Sequence, residues 1–181
     1  MNDPFRCIVA DPPWKFGDSL PGSGRGASKH YDVMSTSAIC SLVLPPIAAD
    51  AHLFLWRVAS MQQDALDVAF HWGFVVKSDL VWLKRTATGK RHFGMGRHVR
   101  AEHETCLICT RGKGAGILDR GIRSTFEAST GEHSAKPDAF FEIVERLVPG
   151  PRLELFARRN RAGWTCLGNE LAQPTTLEAS A

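Results

Sequence analysis

The segment CIVADPPWKF (residues 7–16) joins a short apolar run directly to an acidic residue, two prolines and a tryptophan. Residues 7–10 have the apolar, β-branched character of a buried strand. Pro12 and Pro13 have a fixed φ and no N–H group, so the strand ends at Asp11 and a rigid corner follows. The segment therefore predicts an early strand with an acidic, aromatic corner at its carboxyl end.

Strand and helix patterns alternate along the rest of the chain. Apolar runs predict strands at residues 52–58, 74–84, 104–112, 152–159 and 163–170. Helical spacing predicts helices at residues 35–48, 60–72 and 136–150, whereas residues 112–133 have an irregular composition. Ser60 is the expected N-cap of the second helix.

This alternation predicts a single α/β domain over residues 1–170 and a flexible tail at residues 171–181. The sheet is expected to be mostly parallel, with helices on both faces. Ligands bind such folds at the carboxyl ends of the strands. Asp11 and Arg158 follow two different predicted strands, so both are expected at that edge.

The composition is that of an ordinary globular protein, with 44% hydrophobic and 23% charged residues. No apolar run approaches the roughly 20 residues that span a bilayer, and the first residues do not resemble a signal peptide. We therefore expect no membrane association and a cytoplasmic, or otherwise intracellular, location. The histidines do not show the spacing of a metal site, so no metal is expected.

The spacing of Cys106 and Cys109 is that of a C-x-x-C metal or redox motif. The pair lies in a predicted strand, where residues three apart point to opposite faces of the sheet. Burial of both thiols is therefore favoured over a shared metal ion.

Residues 84–100 contain six lysines and arginines and no acidic residue. Lys90, Arg91 and Arg97 belong to this basic segment. Arg25 and Lys29 lie in a second, glycine-rich segment after the corner. Such segments are typical of solvated loops, but their length and glycines also suit contact with nucleic-acid phosphates.

The corner itself has a specific chemical capacity. The Asp11 carboxylate and the adjacent Pro12 carbonyl form a pair of acceptors, which fits an amine with two N–H donors. Trp14 adds an aromatic surface on which a base can stack. The pattern indicates a pocket for the exocyclic amine of adenine or cytosine, and a strand-terminating turn is the alternative.

Five blocks, ADPPW, HYDVMS, KPDAFFEIVERLVPG, LELFARR and GWTCLGNE, occur in order over roughly residues 7–170. Together they resemble the N6-adenine methyltransferases that include the catalytic subunit of the eukaryotic messenger-RNA adenosine methyltransferase. Small bacterial and phage members of that family consist of little more than a catalytic domain.

The resemblance implies a Rossmann-like fold with permuted motif order and S-adenosylmethionine as the cofactor. It implies that Asp11 and the Pro12 carbonyl bind the target amine within the rigid Pro12-Pro13 corner, and that Trp14 and Tyr31 form aromatic walls. It also implies a set of cofactor-binding residues: Asp11, Lys136, Phe156, Arg158, Asn160, Asn169 and Glu170.

The implied reaction is transfer of a methyl group to the N6 amine of adenine in nucleic acid, with DNA favoured over RNA. Two alternative functions stay open: an inactive nucleic-acid-binding partner subunit and a methyltransferase for a small-molecule or protein amine. Assembly as a homodimer or a heterodimer also stays open. The chain has no G-x-G-x-x-G motif, which the LELFARR block replaces in this family. No recognition domain or zinc finger accompanies the predicted catalytic domain.

Overall fold

The structure is a computed structural model that describes residues 3–15, 33–94, 98–131, 135–169 and 171. Within these residues the chain forms strands and helices in alternation. The strands are β1 (Phe5–Ala10), β2 (Ile47–Arg57), β3 (Val75–Arg85), β4 (His103–Arg111), β5 (Thr125–Ser129), β6 (Arg152–Leu155) and β7 (Thr165–Leu167). The α-helices are α1 (Thr36–Cys40), α2 (Gln62–His71) and α3 (Asp138–Leu147), and a 3₁₀ helix, Ala59–Met61, precedes α2.

The strands of the described chain form one sheet in the order β5-β3-β4-β2-β1-β6-β7. β4 is antiparallel to both of its neighbours, and every other pair of adjacent strands is parallel. The first strand, β1, therefore lies between β2 and β6, a strand from the far end of the chain. The expected mostly parallel α/β sheet is confirmed.

Successive residues of a strand point to opposite faces, and each face of the sheet has its own apolar core. Leu53 and Leu55 of β2 pack with α1 and α2, whereas Phe54 and Trp56 pack with α3. We call these the α2 face and the α3 face. Helices thus cover both sides of the sheet, as predicted.

The two cysteines of the C-x-x-C motif lie on opposite faces. Cys106 packs in the core of the α3 face and Cys109 in the core of the α2 face. Burial raises the pKa of both thiols, that of Cys109 to about 12. The prediction that the motif fills the core is confirmed.

Local predictions failed at three places. Ser60 is not an N-cap, because it lies inside the 3₁₀ helix Ala59–Met61. The first helix ends at Cys40, well before Pro45. The segment expected to be irregular contains β5, whose Phe126 and Ala128 pack on the α3 face. β5 is short and its other residues are polar, so its pattern is weak.

In the described part of the chain, no helix has the length and apolar composition needed to cross a membrane.

The parallel strands bring several polar residues to one edge of the sheet. Asp11 follows β1 directly, and Phe156 follows β6. Because β4 runs in the opposite direction, its first residues, including Glu104, lie at this same carboxyl edge. Lys136 reaches the edge from just before α3. These residues therefore converge although they are far apart in sequence.

Candidate active site

The corner after β1 is held rigidly by backbone hydrogen bonds. Trp14 N–H donates to the Pro12 carbonyl at 2.8 Å, and Met34 N–H donates to the Pro13 carbonyl at 2.8 Å. The indole Nε1 of Trp14 donates to the backbone carbonyl of Trp56 at 3.1 Å. Only 4% of Trp14 is exposed, and its ring packs in the core of the α2 face. The ring thus anchors the corner and presents little surface on which a base could stack.

Asp11 forms a tight ion pair with Lys136. The Lys136 Nζ lies 2.7 Å from Asp11 Oδ2 and 3.3 Å from Glu104 Oε2. Glu104 in turn pairs with Lys84, with 2.6 Å between Nζ and Oε1. The Lys136 ammonium also lies 5.0 Å from the centre of the Trp56 ring. Two cations and two carboxylates therefore alternate along the edge of the sheet.

The charges of this network stabilise one another. Burial by itself lowers the pKa of Lys136, but the charges of Asp11 and Glu104 outweigh burial and raise it. Burial by itself raises the pKa of Glu104, but the charge of Lys136 and the hydrogen bond from Lys84 outweigh it and lower that pKa. Both groups are therefore charged at neutral pH.

A pocket opens beside Asp11 on the α3 face. It lies between the ends of β1 and β6 and the segment before α3. Its walls combine apolar rings with both signs of charge. The lining residues are Val9, Asp11, Trp56, Ala135, Lys136, Phe141, Glu154, Leu155, Phe156, Arg158, Arg159 and Arg161.

Glu154 is the second acid of the pocket. Burial raises its pKa to about 7, although the nearby Arg161 acts in the opposite direction. Arg161 Nε lies 3.9 Å from Glu154 Oε2. The Arg161 guanidinium is 3.5 Å from the centre of the Phe141 ring, and its Nη1 donates to Asp138 Oδ1 at 2.9 Å. This stack forms a rigid wall of the pocket.

The backbone turns sharply where β6 ends. Phe156 has φ of +61°, a left-handed conformation that L side chains rarely adopt. Gly168, at the end of β7, approaches the backbone of Ala157 so closely that any Cβ would collide with it. Ala157 N–H donates to the Leu167 carbonyl at 2.9 Å. The tight turn positions Phe156 in the pocket wall.

The pocket residues fit the chemistry of S-adenosylmethionine. Trp56 Nε1 and Arg161 Nε are buried without a hydrogen-bond partner, and both residues line the pocket. Unsatisfied buried donors are rare in folded proteins, and a bound ligand with acceptors would satisfy both of these. Lys136 can receive the carboxylate of the cofactor, and Asp11 and Glu154 can face its positive groups.

Several predicted residues come together and others do not. Asp11, Lys136, Phe156 and Arg158 share the pocket. Asn160 and Asn169 are exposed, and neither is a lining residue. Lys90 and Arg91 belong to the connection between β3 and β4, where Arg91 lies 3.7 Å from Glu102 and is 75% exposed. Five predicted residues lie outside the described residues: Arg25, Lys29, Tyr31, Arg97 and Glu170.

Sequence reasoning missed part of the pocket. Glu154 and Arg161 were not singled out, although both stand within or beside the LELFARR block. A glutamate between two leucines of a strand looks like an ordinary surface residue. Its neighbour strands β1 and β7 bury it. Trp56 stands in an apolar run that is typical of a core strand, and it both packs in the core and lines the pocket.

The chain is similar in sequence to known proteins over most of its length. The MT-A70 family profile matches residues 5–170. The chain is 31% identical over 176 residues to a protein of Oryza sativa subsp. japonica named probable N(6)-adenosine-methyltransferase MT-A70-like, and the alignment covers 92% of this chain and 23% of that protein. It is 28% identical over 175 residues to the human N(6)-adenosine-methyltransferase catalytic subunit METTL3, covering 92% of this chain and 28% of METTL3.

A compact relative is matched over most of its length. The type II methyltransferase M.MunI of Mycoplasma sp is 28% identical over 191 residues, and the alignment covers 92% of this chain and 78% of M.MunI. The chain thus spans about a quarter of the plant and human relatives but most of M.MunI. The profile match runs from β1 through the whole described sheet. From this match, we conclude that the chain belongs to the MT-A70 family.

Proposed function

We propose that the chain is an S-adenosylmethionine-dependent methyltransferase that modifies the N6 amine of adenine in nucleic acid, with DNA preferred over RNA. The observation that supports this most directly is the position of Asp11. Its carboxylate lies at the mouth of a pocket lined by both acids and bases and is held there by Lys136. The Asp11 carboxylate, which can accept a hydrogen bond from the target amine, thus lies directly beside a site that suits a zwitterionic cofactor.

The bound cofactor supplies an electrophilic methyl group on a sulfonium ion. Lys136 and Arg158 would hold its carboxylate and ribose ends, while Phe156 and the Arg161–Phe141 stack would form the apolar wall. The unpaired Nε1 of Trp56 would donate a hydrogen bond into the same space. Asn160, Asn169 and Glu170 remain part of this proposal as the residues that would contact the ribose and adenine of the cofactor.

The corner would orient the target amine. Asp11 and the Pro12 carbonyl accept its two N–H groups, so that the nitrogen lone pair points away from them and toward the cofactor pocket. The Pro12 carbonyl already accepts the N–H of Trp14 and has a second lone pair for this purpose. Asp11 then accepts the proton that the nitrogen loses after the transfer. Tyr31 would form the aromatic wall above the base.

Contact with the polynucleotide is proposed for the basic segments. Lys90 and Arg91 lie on the connection between β3 and β4, and this connection leaves the sheet at the same edge as Asp11. Arg25, Lys29 and Arg97 belong to the other basic stretches. Positive charge on such loops neutralises phosphates without regard to sequence. DNA is preferred in this proposal because the chain covers 78% of the compact M.MunI, which is named a type II methyltransferase.

The test is incubation with radiolabelled S-adenosylmethionine and matched unmethylated DNA, RNA or mononucleotide, followed by nucleoside analysis. Label in N6-methyldeoxyadenosine is the expected result, and label in N6-methyladenosine would assign RNA instead. Asp11→Asn is the control, because it keeps the shape of the side chain but loses its charge and should abolish transfer. Cofactor binding without any transfer would favour an inactive partner subunit.

A further inference from the structure

Arg57 is the last residue of β2 and lies beside the catalytic corner. Ala10 pairs with Leu55 in the parallel β1–β2 register. Arg57 is two residues beyond Leu55 and therefore lies level with Pro12. The Trp14 indole donates to the carbonyl of Trp56, which belongs to the peptide group directly before Arg57. The corner and the start of the Arg57 backbone are thus tied together.

The Arg57 side chain points away from the cofactor pocket. Trp56 belongs to the α3 face, so its neighbour Arg57 projects on the α2 side. Arg57 pairs with Thr105 of the neighbouring strand β4. Glu104, the residue before Thr105, points to the α3 side, where it forms ion pairs with Lys84 and Lys136. The acids of the ion-pair network are therefore on the other face from Arg57.

Arg57 has no counter-charge among the described residues. Its Nε is buried without a hydrogen-bond partner, and its guanidinium makes no ion pair or hydrogen bond with another of the residues that the structure describes. Two other arginines with an unpaired Nε differ in this respect. Arg152 donates from Nη2 to the Glu145 carbonyl at 3.2 Å, and Arg161 donates from Nη1 to Asp138 at 2.9 Å. Of these three arginines, Arg57 alone makes no hydrogen bond or ion pair with another described residue.

A buried guanidinium N–H without an acceptor is unfavourable, and an anionic ligand would supply that acceptor. The guanidinium presents a planar fork of donors that matches the oxygens of a phosphate. Lys15, which directly follows Trp14, is exposed and adds a second positive charge close to the corner. Both residues are next to the place where the proposed reaction holds its adenine.

We infer that Arg57 binds a backbone phosphate of the polynucleotide next to the target adenine. This inference rests on the proposed function, because it takes a nucleic acid as the substrate. The contact would hold the strand while the corner holds the base. Phosphate binding would then occur on the α2 side and cofactor binding on the α3 side, with Asp11 between them.

The test measures binding of a fluorescently labelled, mixed-sequence single-stranded DNA oligonucleotide by anisotropy over a range of NaCl concentrations. Arg57→Met keeps most of the apolar stem and removes the charge. Loss of one phosphate contact should reduce the slope of log K against log salt concentration by about 0.7. Arg120→Met is the matched control, because Arg120 is an exposed arginine between β4 and β5. Its slope should equal that of the unmodified protein.

A second variant of Arg57 controls for misfolding. Arg57→Lys keeps the charge, so its salt slope should stay unchanged while the affinity falls, because a lysine cannot form the two-pronged contact. Cofactor affinity, measured by calorimetry, should be unaltered in both Arg57 variants. An unchanged slope in Arg57→Met together with an unchanged affinity in Arg57→Lys would overturn the phosphate site, as would failure of the unmodified protein to bind the oligonucleotide.

The outcomes separate this inference from the proposed function. Methyl transfer to adenine with an Arg57-independent salt slope would remove the phosphate site and leave the methyltransferase proposal intact. Oligonucleotide binding that depends on Arg57, without transfer of label to any substrate, would support the phosphate site and overturn the methyltransferase proposal.

Discussion

Lys136 and Asp11 form an ion pair with 2.7 Å between Nζ and Oδ2, although one precedes the last helix and the other follows the first strand. The contact joins the expected cofactor lysine to the expected catalytic acid. The Lys136 side chain is only 11% exposed and also meets Glu104. Its ammonium therefore both orients Asp11 and compensates two carboxylates at the edge of the sheet.

Lys136→Met should destabilise the protein and weaken the pH dependence of its stability. Removing the cation from a buried pair leaves an uncompensated charge, at a cost of about 3 kcal/mol. In the native protein the lowered pKa of Glu104 contributes stability above its ordinary value of 4.5, and this is lost as the pH falls. Without Lys136, Lys84 alone opposes the effect of burial on the pKa of Glu104, so this carboxylate should contribute less stability above pH 4.5. Urea unfolding across this pH range measures both slopes.

The double variant Lys136→Met with Glu104→Gln is the control for that experiment. It removes the uncompensated carboxylate and should recover part of the lost stability. It should also remove the pH dependence that Glu104 still contributes. If the double variant is as unstable as Lys136→Met at every pH, the loss of a counter-charge at Glu104 is not the cause.

Cofactor affinity should rise with pH around 7. The raised pKa of Glu154, about 7, means that this pocket carboxyl is partly protonated at neutral pH. S-adenosylmethionine has a net positive charge, which favours the ionised carboxylate, so binding should release a proton. The affinity should change by at most about tenfold per pH unit. Calorimetry on either side of this pKa measures the effect.

Two comparisons test the assignment to Glu154. Glu154→Gln should bind S-adenosylmethionine with an affinity that does not vary with pH in this window. S-adenosylhomocysteine has no sulfonium charge and should show a weaker pH dependence with the unmodified protein. A pH dependence that persists in Glu154→Gln would assign it to another group.

His52 should make the fold sensitive to mild acid. Its Nδ1 accepts the N–H of Ala115 at 2.9 Å, which requires the neutral ring, and burial lowers the pKa of His52 below 6.5. The unfolded chain therefore binds a proton first, and stability should fall as the pH drops below 6.5. His52→Asn places Oδ1 where Nδ1 stood and does not titrate. Its stability, followed by thermal unfolding, should vary less with pH in this window.

Phe156 should tolerate glycine better than alanine. At φ of +61°, an L side chain costs about 1 kcal/mol relative to glycine. Phe156→Gly and Phe156→Ala both lose the ring from the pocket wall, so their cofactor affinities should fall alike. Phe156→Gly should nevertheless be the more stable of the two by about 1 kcal/mol in urea unfolding. Equal stabilities would mean that the turn relaxes when the ring is removed.

The sequence identified the residues of the site that belong to contiguous motifs. Asp11, Lys136, Phe156 and Arg158 stand in the corner, before the last helix and after the β6 strand, where motif and topology agree. Glu154 escaped notice because alternation along a four-residue strand does not reveal which face is buried. Its burial depends on β1 and β7, the partners on either side.

The direction of β4 explains why Glu104 lies at the edge of the sheet beside Asp11. Glu104 stands at the start of a predicted strand, and nothing in the nearby sequence indicates its partner. The residues that the structure describes between β3 and β4 form no helix, and the chain returns as an antiparallel strand. This reversal places the first residues of β4 at the edge where the other strands end. Lys84 and Lys136 then reach Glu104 from two other parts of the chain.

The place of β1 between β2 and β6 has a consequence for synthesis of the chain. Ile8 pairs with Leu53 on one side and with Leu153 on the other. Of the seven strands in the sheet, β1 is synthesised before the others, and it cannot pair with β6 until most of the domain has been translated. Contacts so distant in sequence slow folding and leave an unpaired strand edge exposed in the meantime. A nascent chain that stops before β6 contains the Asp11 corner, yet it lacks one wall of the cofactor pocket.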